Sequence, residues 1–163
     1  MASLNECVRE YTSQLSKGLI QEAYRGIMTF MSDLRTYLER RHEDYATSAL
    51  YFGYMDMTFF AFTPSSLRSR KLKIAIVFLH RECSFEIWLT ANNRQLQADY
   101  IELLSHKDTG GYHLSKTGPG VDSIIASPLV EHPDFDALDE LKSQIEVGAV
   151  EFVRDVSLML GQC

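Results

Sequence analysis

Apolar residues in the first forty positions recur at helical spacing. Ser3 and Glu6 form an S-x-x-E pair, in which each side chain can satisfy a free backbone amide at a helix start. A helix beginning there ends at Gly18, a residue type favoured just beyond a helix. A second helix is predicted over Leu19–Arg41, with apolar residues in steps of four and three: Ile20, Tyr24, Ile27, Met31, Leu34 and Leu38. This stripe fits either a hydrophobic core or a coiled-coil seam between two copies.

From Leu50 onward the pattern becomes that of strands. Residues 50–63, 72–80 and 84–90 are rich in β-branched and aromatic side chains, which predicts three strands. Residues 80–83 form a connection short enough for a hairpin, so the last two strands are expected to be antiparallel neighbours.

The C-terminal half predicts a helix, a strand and a further helix. Asn92 is placed as the cap of a third helix that ends near Ser105, and a glycine-rich loop follows. Residues 121–130 predict a fourth strand, with Pro128 at an edge or at the strand end. Asp134 or Asp136 is expected to cap a long final helix, whose apolar face offers a second surface for self-association.

These elements predict one globular α+β domain over residues 1–163, in the order ααβββαβα. The sheet is expected to have four mostly antiparallel strands. The first, second and last helices are expected on one face, with the third helix beside the sheet or opposite. Alternation along the strands then assigns each side chain to a face. The core face is predicted to carry Met55, Met57, Phe59, Ile74, Ile76, Phe78, Phe85, Ile87 and Leu89. The opposite face is predicted to carry Tyr54, Asp56, Thr58, Lys73, Glu86, Trp88 and Thr90.

The opposite face holds the candidate chemistry. Two carboxylates, Asp56 and Glu86, could bind a divalent metal, and Lys73 could stabilise a developing phosphoryl charge, so these three are the catalytic candidates. Tyr54, Thr58 and Trp88 are the candidate ligand-binding residues. The alternative interpretation is a half-solvated sheet face with cross-strand ion pairs. No sequence motif identifies a metal site or a cofactor.

Charge and cysteine content indicate the cellular compartment and the class of partner. The net charge is −6, and residues 91–163 carry twelve acids against five bases, which disfavours nucleic acid as a partner. A basic run over residues 68–73 is interpreted as solvated loop charge. The cysteines, Cys7, Cys83 and Cys163, have neither disulfide-framework nor zinc-knuckle spacing. Without a secretory leader or a membrane span, a cytoplasmic protein is expected.

The element order resembles the core of restriction-endonuclease-like nucleases over residues 19–130. In those enzymes an Asp on one strand and Glu-x-Lys on the next hold magnesium at the scissile phosphate. The resemblance implies Asp56 as the Asp and Glu86 as the Glu. Trp88 stands where the lysine belongs, so Lys73 would have to act from the neighbouring strand.

A second resemblance, to an uncharacterised bacterial family of about this length, runs through the whole chain. It is carried by LYFGYMDMT from Leu50, KLKIAIVF from Lys71, FEIWL from Phe85 and GVDSI from Gly120. It implies a single-domain intracellular protein without a known role. The predicted function is therefore binding of a partner or small ligand, and the alternative is a divergent metal-dependent phosphodiesterase or nuclease-like enzyme.

Overall fold

The computed structural model describes residues 1–161, so Gln162 and Cys163 lie outside the described part of the chain. Its helices are α1 (Leu4–Ser16), α2 (Leu19–Arg41), α3 (Ser65–Arg68), α4 (Arg94–Ser105) and α5 (Leu138–Leu160). Its strands are β1 (Tyr45–Thr47), β2 (Met57–Pro64), β3 (Leu72–Leu79), β4 (Ser84–Ala91) and β5 (Ser123–Val130). The predicted α+β class and the succession of long elements are confirmed.

The strands form one antiparallel sheet in the order β1-β2-β3-β4-β5. The predicted hairpin between β3 and β4 is present, and Cys83 occupies the left-handed region there with φ 49°. Pro128 lies on β5, an outer strand of the sheet, where the missing backbone N–H of a proline is best tolerated. The sheet has five strands rather than the predicted four. The additional strand, β1, has three residues, which is too short for alternation to be visible in the sequence.

One face of the sheet packs against the helices. The buried strand residues Phe60, Phe62, Ile74, Ile76, Phe78, Phe85, Ile87 and Leu89 belong to the same core cluster as the buried apolar residues of α2, α3, α4 and α5. The stripe of α2 contributes Met31, Leu34 and Leu38 to this core, whereas Ile20 remains 40% exposed. The greater part of the predicted coiled-coil seam therefore lies inside the protein.

Helix α1 differs from its predicted position on the sheet. The capping box of Ser3 and Glu6 forms as predicted, yet no residue of α1 is buried. Leu4, Val8 and Tyr11 are all at least half exposed, and α1 packs on α2. The sequence pattern identifies an apolar stripe on α1, but it does not indicate whether the rest of the protein packs against that stripe.

The prediction for the first long strand was wrong in its start and in its facing. Residues 50–56 form a turn with one bridge, between Tyr51 and Phe59, and β2 begins at Met57. Within β2 the core side chains are Thr58, Phe60 and Phe62, one residue out of step with the prediction of Met57 and Phe59. Met55, predicted for the core, is 53% exposed in the turn.

Two helix starts also differ from prediction by a short distance. Asn93, not Asn92, caps α4 by accepting a hydrogen bond from the Leu96 amide at 2.8 Å. Helix α5 begins at Leu138 with no side-chain cap, because the Asp134 carboxylate instead accepts the Asp136 amide in a turn before the helix. Among the described helices, none combines the length and apolar character needed to cross a membrane.

Candidate binding site on the open face of the sheet

The open face is the side of the sheet that points away from the helix-packed core. Cross-strand pairs align its side chains: Phe59 lies opposite Val77, Trp88 opposite Ala75, and Lys73 opposite Thr90. The open face carries Met57, Phe59, Ala61, Lys73, Ala75, Val77, Glu86, Trp88 and Thr90. Ala75 and Val77 are buried without belonging to the main core cluster, which indicates that their open-face neighbours shield them.

A pocket of about 480 Å³ occupies the part of the open face where β4 leads into α4. Its floor is apolar and includes Met57, Phe59, Ala75 and Trp88. Its polar rim is formed by Lys73, Asn92, Asn93, Arg94 and Asp122. An apolar floor with a few polar groups at the rim is the usual composition of a small-molecule site.

Trp88 is held in place by its neighbour on the same face. The indole Nε1–H donates a hydrogen bond of 2.8 Å to Glu86 Oε1. Alternation brings both side chains of residues i and i+2 to one side of β4, which is why the pair can meet. The bond leaves the indole half-buried in a defined orientation, with its ring in the lining of the pocket.

The wall beside α4 is fixed by hydrogen bonds to the segment before β5. Arg94 donates to the Val121 carbonyl and to Asp122 Oδ1, the latter at 3.0 Å. Gln97, which is buried, donates to the carbonyls of Val121 and Ser123 at 3.0 Å each. These contacts connect the start of α4 to the start of β5 and leave the carboxylate of Asp122 paired.

Lys73 is the rim cation without an ion-pair partner among residues 1–161. It is exposed, and it lines both the main pocket and a smaller one of about 300 Å³. The smaller pocket shares Ser48, Ala61 and Asn92 with the main pocket and adds the cation of Arg68. The two pockets together have three cationic side chains on their walls and one carboxylate, Asp122.

The structure brings some of the sequence-predicted site residues together and separates others. Lys73, Glu86 and Trp88 share the open face, and the first and last line the pocket. Tyr54 is 91% exposed in the turn before β2, away from the strands. Thr58 is fully buried on the core side, so it does not reach the pocket.

Asp56 has a structural role in the turn before β2. Its Oδ1 accepts the backbone amides of Met57 at 2.7 Å and Tyr54 at 3.0 Å. These hydrogen bonds, led by that from Met57, hold the pKa of Asp56 below its usual value. Asp56 and Glu86 are separated by two strand spacings and three residues along the strand, roughly 14 Å. The two carboxylates therefore cannot share a metal ion, and the geometry gives the nuclease-like alternative no support.

Thr58 participates in a buried polar chain behind β2. Its hydroxyl donates to the Phe52 carbonyl at 2.6 Å, so it accepts from His80 Nε2, which lies at 2.8 Å. Burial lowers the pKa of His80, and the charge of Asp56 opposes that shift only partly. The chain connects the turn at residues 50–56 to the β3–β4 hairpin, which is a stabilising role.

A second polar cluster joins α2 to α5 on the helical side. Glu146 accepts hydrogen bonds from Arg41 Nε at 2.7 Å and Tyr37 Oη at 3.1 Å, and it contacts His42 Nε2 at 2.8 Å. Burial acts to raise the pKa of Glu146, but the three partners outweigh it and the net shift is downward. The described residues contain no group of three or more His, Cys, Asp or Glu side chains arranged to hold a metal.

Sequence reasoning missed part of the pocket. Met57 and Phe59 were assigned to the core, and Asn93, Arg94 and Asp122 were not considered. A signal does exist for the rim, since Asn92-Asn93-Arg94 follows directly after β4 and places polar groups at the end of the Trp88 strand. The position of Asp122 depends on the connection to β5, which no local pattern reveals.

The profile of a family described as "Domain of unknown function (DUF7000)" matches residues 4–160. The predicted resemblance to a family without a known role, running through nearly the whole chain, is thereby confirmed. Neither the curated proteins nor the solved structures contain a significant match to this sequence.

Proposed function

We propose a small-molecule-binding function for this chain, which belongs to the DUF7000 family of domains of unknown function. The ligand is expected to occupy the open-face pocket beside Trp88. The observation that carries the proposal is the pocket itself, a concave space of about 480 Å³ with an apolar floor and a polar rim. Its volume falls in the range of known ligand sites.

The local chemistry supports binding rather than catalysis. Cation, amide and aromatic groups surround the space, the carboxylate of its lining, Asp122, bonds to Arg94, and Glu86 on the same face bonds to Trp88. General acid–base or metal-assisted chemistry needs a titratable or metal-binding group that faces the reacting atoms. Apart from Lys73, the rim groups are amides and the paired Arg94 and Asp122, which hold and orient a ligand.

A fragment screen tests the proposal, with calorimetry on the hits and two matched variants. Ala61→Leu places a larger side chain in the pocket and is expected to weaken binding at least about tenfold, because it occupies ligand space. Ala126→Leu is the control, since Ala126 is exposed on β5 opposite Trp88 but does not line the pocket. It is expected to change affinity less than about twofold. A diverse library without hits, or hits that both variants bind like the original protein, would refute the proposal.

A further inference from the structure

We infer that the preferred ligand is a planar aromatic ring with one anionic group, either a carboxylate or a phosphate. The inference rests on the proposed function and specifies its ligand class. The ring would pack on the aromatic and apolar floor, and the anion would meet Lys73.

The floor selects for a flat apolar body. Phe59 and Trp88 contribute aromatic surfaces, and Ala75, the β3 partner of Trp88, contributes little bulk. Trp88 cannot turn away without breaking its bond to Glu86, so its orientation is set before a ligand arrives. Aromatic rings gain from offset or edge contacts with such surfaces beyond simple burial of area. A preformed aromatic floor therefore favours a ring over a flexible aliphatic chain.

The rim selects for negative charge, although the chain as a whole is acidic with a net charge of −6. Asp122 is the carboxylate in the lining, and Arg94 pairs with it at 3.0 Å. Lys73 has no such partner within the described chain, and Arg68 adds a cation in the adjoining pocket. An unpaired cation beside an apolar floor attracts an anion, whereas Glu86, the open-face carboxylate bonded to Trp88, does not line the pocket.

Three probes with one ring and different charges test the class: indole-3-acetate, indole-3-acetamide and tryptamine. Trp88 is the single tryptophan of the chain, so the labelled protein gives one indole ¹⁵N–¹H signal that reports on the pocket. The acetate is expected to bind about three- to tenfold tighter than the amide, with tryptamine weakest, and its advantage should shrink as salt rises. Adenosine 5′-monophosphate and adenosine, compared in the same way, distinguish a phosphate preference from a carboxylate preference.

Lys73→Gln provides the decisive variant. It should bring the acetate and the amide to within about twofold of each other while the amide affinity stays the same. Lys116→Gln, at an exposed lysine of the loop before β5, should leave the charge preference unchanged.

Several outcomes would overturn the inference and separate it from the broader proposal. Equal affinity for the three indole probes, or a preference for the acetate that persists in Lys73→Gln, would reject the anionic ligand class. The broader proposal of a pocket that binds fragments would remain. Failure of every probe, in a protein that binds other fragments, would reject the class in the same way. A Trp88 signal that moves with protein concentration alone would show that a second copy covers the open face, and would reject a small ligand there.

Discussion

At the scale of single residues, Glu146 shows how a nearly buried charge stabilises the packing of two helices. Its side chain is 12% exposed and bonds to groups of α2 from its position on α5. Glu146→Gln is expected to lower the free energy of unfolding by about 1–3 kcal/mol, because charge-assisted bonds to Arg41 and Tyr37 are weakened. Denaturant unfolding measures this change. Glu140→Gln, at an exposed acid on the same helix, is the control, and an equal loss in both variants would contradict the assigned role.

At Gly53 the turn before β2 requires both a positive φ and the absence of a side chain. The φ of this residue is +76°, and a Cβ there would lie 1.9 Å from the Met57 carbonyl oxygen. Gly53→Ala is expected to destabilise the protein by at least about 2 kcal/mol, since both the conformation and the contact are unfavourable. Gly26→Ala is the matched control, because Gly26 lies within α2 with open space around it. That change is expected to stabilise by about 0.5–1 kcal/mol in thermal or denaturant unfolding, and similar effects at both sites would refute the account of the turn.

The lowered pKa of His80 predicts that the stability of the protein depends on pH. This pKa is lowered in the folded protein, so the unfolded chain takes up the proton first as pH falls. The contribution of His80 is therefore complete above the ordinary histidine pKa of 6.5 and decreases below it. Comparing denaturation midpoints at pH 7.5 and at a pH below 6 should show a larger loss in the original protein than in His80→Gln. Equal losses would indicate that His80 does not titrate differently on folding.

At the scale of elements, the facing of strand side chains could be predicted from the sequence only where the two faces of the strand differ in polarity. In β3 and β4, Lys73, Glu86 and Trp88 alternate with bulky aliphatic and aromatic residues, so the facing was predicted correctly. In β2 both faces are apolar, and the polar group of Thr58 is satisfied inside the protein by Phe52 and His80. Alternating positions of β2 therefore do not differ in polarity, and the predicted facing was the reverse of the observed one.

Helix α1 is the element with the weakest packing on the body. Removal of residues 1–16 is expected to change the free energy of unfolding by less than about 1 kcal/mol, since no side chain of α1 is buried. Leu34→Ala, in the buried stripe of α2, is expected to cost about 2–5 kcal/mol. Both are measured by denaturant unfolding. A truncation as damaging as Leu34→Ala would mean that α1 supports the core.

At the scale of the whole molecule, the sheet separates two environments. The helices and the core cover one face, and the cationic, aromatic pocket occupies the other. The sequence predicted this division and four members of the open face, Lys73, Glu86, Trp88 and Thr90. Alternation along single strands could not supply the groups that α4 and the segment before β5 bring to the rim, Arg94 and Asp122.

The most direct test of ligand binding on the open face is a combined spectrum of the ¹³C-labelled methionine methyl groups and the Trp88 indole. Met57 lines the pocket, whereas Met31 is fully buried in the core on the other side of the sheet. Titration with the tightest-binding fragment is predicted to shift the Met57 and Trp88 signals together along one binding curve and to leave Met31 unchanged. A shift of Met31 without Met57 and Trp88, or no shift of either open-face signal at saturation, would contradict the account.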